Sequence, residues 1–131
     1  MTLRQLGILQ WLGLLLGAGV WVAQHLIGSG LTQADCGAGG AGWGISNDAW
    51  QAALALAAAA LVLSAEAAAI TVFARTRGAG FGDGPPSDEG ELRRTRLHFF
   101  AAASIAANAI FFLIIVLDGV ASIVATGCRQ G

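Results

Sequence analysis

Three long apolar stretches, parted by two segments rich in glycine and polar residues, set the pattern of this chain. They cover roughly residues 6–28, 50–74 and 97–124. Each reaches the ~20 helical residues that a bilayer core requires. None contains proline, and their alanine and leucine content favours helix over strand. The residue-by-residue alternation of an outer-membrane barrel is absent. The pattern predicts an all-α integral membrane protein: a three-helix antiparallel bundle forming a single transmembrane domain over residues 1–131. An outer loop at 29–47 and a flexible loop at 75–96 join the helices. Arg4 ahead of an apolar run also fits a signal peptide, but the first stretch is expected to remain as a transmembrane helix.

The polar positions inside these stretches are not scattered. On a helix drawn at 100° per residue, Gln10, Gly13, Gly17, Gln24 and Gly28 fall within an arc of about 60°. The Gly13-x-x-x-Gly17 spacing lets a second backbone come close, so this arc is a helix-contact face. In the third stretch Ser104, Asn108, Asp118 and Ser122 share an arc of about 80°, interrupted by Phe111 and Ile115. Polar groups in lipid need partners, so this face should meet protein. The second stretch carries Glu66 on the face of Ala52, Ala55 and Ala59. Ser64 and Thr71 lie opposite, free to bond back to their own helix. Counting ~1.5 Å per residue from the nearer helix ends puts Glu66 and Asn108 at about 12 and 15 Å depth. A Glu66–Asn108 contact follows, and His25 with Asp118 makes a second pair near the other surface.

Composition agrees with lipid as solvent. Of 131 residues, 56% are hydrophobic and 11% charged, against about a quarter charged in ordinary soluble domains. The mean hydropathy is +0.68. A net charge of −1 gives no concentrated basic surface for nucleic acid. All seven basic side chains are arginine. Six of them (Arg4, Arg75, Arg77, Arg93, Arg94 and Arg96) share one side, and only Arg129 lies on the other. The positive-inside rule then sets the N-terminus in the cytoplasm and the C-terminus outside, in a bacterial cytoplasmic membrane. Trp21, Trp43 and Trp50 mark the outer interface. The Gly78–Gly84 run precedes Pro85-Pro86 and follows no strand, so it reads as a linker and not a phosphate loop. Asp88 with Glu91, and Asp48 with Gln51, resemble capping boxes at the starts of the third and second helices.

Cys36 and Cys128 both fall on the outer side, where oxidation is normal, and two cysteines allow one intramolecular pairing. A Cys36–Cys128 disulfide is expected, with a chain-entropy ceiling of ~4–5 kcal/mol. The two histidines, His25 and His98, lie near opposite surfaces and cannot hold one haem between them in a single chain. No nucleophile–base pair, metal cluster or cofactor motif is visible. The expectation is therefore a non-enzyme with no catalytic, cofactor-binding or metal residues of its own. Lipid contacts are expected, and haem or copper only in partner subunits.

The stretch from Trp11 to Cys36, with "FFLIIVLDGVASIVATGC" near the end, resembles a group of small uncharacterised three-helix bacterial membrane proteins. These are associated with gene clusters for haem–copper cytochrome oxidases and related respiratory complexes. The resemblance implies an accessory role beside a redox complex and transfers no catalytic residues. Size points the same way, since three helices enclose little interior yet each carries a small or polar face. The leading reading is an accessory, non-catalytic subunit contacting other membrane subunits. A small homo-oligomeric channel or transporter using Glu66 for protons or cations is the alternative from another class, and an assembly factor is a third.

Overall fold

A computed structural model describes residues 1–36, 46–78 and 88–124. They form three helices: α1 (Leu3–Cys36), α2 (Asn47–Arg75) and α3 (Glu89–Val124). All three are long and apolar enough to cross a membrane, and each packs on the other two. With 34, 29 and 36 residues they measure about 51, 44 and 54 Å. A hydrocarbon core is ~30 Å thick, so the bundle extends past it.

The helix ends lie further out than the apolar stretches because local hydrogen bonds carry them. α1 runs through residues 29–36, expected as loop, and Thr32 ties its hydroxyl back to Gly28 O at 3.1 Å. α3 begins inside the expected 75–96 loop, where Asp88 Oδ1 accepts from the Glu91 amide at 2.6 Å. That half of the expected capping box is present. At α2 the cap differs from expectation. Ser46 fills it, its Oγ accepting from the Ala49 amide at 3.3 Å, because Gln51 is turned inward to α1.

Packing follows a repeat of 3.5 residues. The buried positions of α1 are Leu6, Gln10, Gly13, Gly17, Gln24 and Gly28. Those of α3 are Leu97, Ala101, Ser104, Asn108, Ile115 and Gly119, the same spacing displaced by 91 residues. Such alternating steps of three and four keep one seam facing its neighbours along the helix. α1 and α3 therefore run parallel and in register, with Gln24 level with Ile115. α2 runs the other way, since Gly13 meets Ala65 and Ala69 while Gly28 meets Gln51. Its buried stripe is Gln51, Ala58, Val62, Ala65, Ala69 and Val72.

Two apolar clusters hold the ends. Leu6, Val72, Leu97 and Ala101 form one. Ala58, Val62 and Ile115, with Trp21 and Phe111 against them, form the other. Between them the seam turns small and polar. Large apolar residues point outward instead: Leu26, Leu56 and Leu117 are each at least two-thirds exposed. Big apolar groups outside with small and polar groups inside suit a hydrocarbon solvent. The six arginines Arg4, Arg75, Arg77, Arg93, Arg94 and Arg96 gather at one end, where α1 and α3 begin and α2 stops.

Candidate functional site

The candidate site is the polar part of this seam, beginning at Asn108. Its side chain is 1% exposed, and Nδ2 donates to Gly13 O of α1 at 2.8 Å. Gly17 makes room for it, since a Cβ there would overlap Asn108 Oδ1. Gly13 allows the matching approach of α2: a Cβ on it would lie 3.2 Å from both the Ala69 amide nitrogen and Cβ. The two expected packing glycines thus serve different neighbours, α2 at Gly13 and α3 at Gly17. Glu66 projects from the edge of the buried α2 stripe and lies close to the Asn108 side chain. The two residues expected at one depth thus lie near each other, while the Asn108 amide donates to Gly13 O. Ser104 is buried beside it but bonds to Phe100 O of its own helix at 2.8 Å. Among the described residues four buried acceptors lack a partner: Gln10 Oε1, Gln24 Oε1, Glu66 Oε2 and Asn108 Oδ1.

Toward the end away from the arginines, Gln24 Nε2 reaches Ile115 O at 3.5 Å. His25 Nδ1 and Asp118 Oδ2 stand 3.9 Å apart, near enough for an ion pair but too far for a direct hydrogen bond. Trp21 stacks on His25 and also meets Phe111, fixing the ring at this level. Gln51 closes the end by donating to Gly28 O at 2.9 Å and to Thr32 Oγ1 at 3.1 Å. At the arginine end, Thr76 Oγ1 lies 3.0 Å from His98 Nδ1, and Phe73 stacks on His98 with ring centroids 4.3 Å apart.

Gln51, Thr76 and the His98 clasp were missed as interior groups. The spacing to Asp48 suggests a capping role for Gln51, whereas its seven-residue spacing to Ala58, Ala65 and Val72 marks the interior position it takes. Thr76 continues the companion series Val62, Ala69, but follows the last apolar residue, so hydropathy alone does not mark it as interior. Ser64 and Thr71 bond to Leu61 O and Ala67 O of their own helix, as expected. Cys36 ends α1, and no free cysteine is found among the described residues. Cys128, with Arg129 and Trp43, lies outside them.

His25 and His98 stand at opposite ends of the bundle. His98 is level with Gly7, 18 residues or about 27 Å from His25 along α1. Among the described residues no group of three His, Cys, Asp or Glu side chains converges. Fold and site together define a three-helix bundle built to lie in a membrane, with a hydrogen-bonded polar seam. Comparison with protein families, with curated proteins and with solved structures finds no match to this chain.

Proposed function

We propose that the chain is an accessory, non-catalytic subunit of a larger bacterial membrane complex, with a respiratory electron-transfer complex as its parent. One observation carries this reading. The buried amide side chains reach backbone carbonyls of neighbouring helices: Asn108 to Gly13, Gln51 to Gly28 and Gln24 to Ile115. Side chains so engaged set helix spacing, and interhelical bonds of this kind contribute ~0.6–1.7 kcal/mol each in membranes. The resemblance of the α1 and α3 stretches to proteins of oxidase gene clusters supports the respiratory parent. Haem or copper would belong to partner subunits.

In this proposal the arginine end is cytoplasmic, by the positive-inside rule. Cys36 and Cys128 then pair on the outer side, in support of which Cys36 is no free thiol. The test is extraction in mild detergent and identification of the copurifying chains. Haem-bearing subunits are the expected companions, and a stable monomer without partners overturns the reading. If the partners appear only in immature assemblies, the chain is an assembly factor instead.

The four partnerless acceptors favour a second reading, a small homo-oligomeric channel or transporter using Glu66, because acceptors along a seam can hold protons or cations. Flux in proteoliposomes that vanishes in Glu66→Gln would support it. Absence of flux in the wild type ends it.

A further inference from the structure

At the end of the bundle away from the arginines, all three helices wall a polar cavity of about 290 Å³. Its inner wall is made by Gln51, Thr32, Asp118 and Ser122, all buried or half-buried. Its rim carries His25, Ser29 and Gln33, all exposed.

The hydrogen-bond roles of the wall are already assigned by the protein. Both hydrogens of the Gln51 amide are used, on Gly28 O and Thr32 Oγ1. The Thr32 hydroxyl donates to Gly28 O at 3.1 Å. The Ser122 hydroxyl donates to Asp118 O at 2.8 Å. Asp118 carries a carboxylate, which only accepts. What this wall can still offer is acceptors: the Gln51 carbonyl, two hydroxyl oxygens and one carboxylate. Donors remain on the rim, in the Ser29 hydroxyl, the Gln33 amide and the His25 ring. A ligand complementary to this arrangement leads with a cationic group rich in N–H and trails an anion at the mouth.

We propose that the cavity binds an ammonium-headed zwitterion of the phosphoethanolamine type, with –NH₃⁺ on Asp118, Gln51 and Ser122 and the phosphate held by His25, Ser29 and Gln33. Two sources share this chemistry: the headgroup of a phosphatidylethanolamine lipid at the membrane surface, and a soluble phosphoethanolamine. Trimethylation of the nitrogen removes every N–H, so a choline headgroup keeps the charge but loses the donors that the wall selects.

The test uses the full chain in nanodiscs holding equal amounts of phosphatidylethanolamine, its monomethyl and dimethyl forms and phosphatidylcholine, with identical acyl chains. Lipids retained on the protein are counted by native mass spectrometry. The expected result is at least a five-fold preference for phosphatidylethanolamine over phosphatidylcholine, falling stepwise with each methyl group and lost in Asp118→Asn. Gln33→Ala, on the exposed rim, should weaken retention while leaving the circular dichroism spectrum unchanged. In a second arm, O-phosphoethanolamine is titrated against the detergent-solubilised chain while the His25 ring is followed by NMR. A saturable shift absent from Asp118→Asn, without lipid preference, supports the proposal with a soluble source. Equal retention of all four lipids together with no saturable shift overturns it, and so does a preference that Asp118→Asn leaves unchanged.

Discussion

Gly17→Ala adds one methyl group at the tightest approach of α1 to α3. Built on the present backbone, that methyl overlaps Asn108 Oδ1 and stands 3.4 Å from Asn108 Cγ and from Phe111 Cδ2. Asn108 is 1% exposed and anchored to Gly13 O at 2.8 Å, so its side chain has no solvent to swing into. Either the carboxamide gives up that bond, at ~0.6–1.7 kcal/mol, or the helices move apart, with overpacking costs of about 1–3 kcal/mol. Alanine returns about 1 kcal/mol through its better helix propensity. The expected net loss is up to about 2 kcal/mol, the difference of these magnitudes. Gly19→Ala is the control, because a Cβ there meets nothing within 4 Å. It should be neutral or up to about 1 kcal/mol more stable. Equilibrium unfolding in dodecyl maltoside micelles with rising SDS, followed by circular dichroism and tryptophan fluorescence, measures both. Asn108→Ala removes the colliding group, so the two substitutions should be strongly non-additive. Equal stability of the Gly17 and Gly19 variants within 0.5 kcal/mol, or simple additivity with Asn108→Ala, would refute this account of the seam.

Three further expectations follow from the same contacts. Gln51→Leu removes two bonds to α1 and should cost about 1–2 kcal/mol, with amide exchange rising first where α1 ends and α2 begins; uniform exchange along the bundle would contradict a local clasp. Thr76→Val should shift the His98 Nδ1 resonance, because the Thr76 hydroxyl 3.0 Å away is that nitrogen's partner; an unchanged ¹⁵N spectrum of the ring would dismiss the contact. A bulky maleimide should label neither Cys36 nor Cys128 before reduction and both after it, whereas labelling without reductant would rule out the disulfide.

The elements were readable because the bilayer imposes length and composition on them, and the α1 face was readable because its glutamines and glycines stand out against leucine. Gln10, Gly13, Gly17, Gln24 and Gly28 were expected together and are buried together. The α2 face was harder, since alanine repeats so often there that no arc is distinguished by composition. The expected Ala52, Ala55 and Ala59 are half-buried, while Ala58, Ala65 and Ala69 line the seam. Depth counting puts Glu66 level with Asn108, and Glu66 sits at the edge of the stripe and not at its centre. Helix ends are hard to read from sequence where hydropathy fades before helicity does. Residues 29–36 and 89–96 are polar, but capping and side-chain bonds to backbone keep them wound.

The shared register of α1 and α3 restricts how this sequence can change length. Six buried positions on each helix keep step over their whole run. Deleting one residue near the middle of either helix would rotate everything beyond it by about 100°, carrying Gln24 or Asn108 from protein into acyl chains. An insertion of seven residues, two turns, would nearly restore the facing. Homologous bundles should therefore differ inside these helices in multiples of seven, while the two connections vary freely.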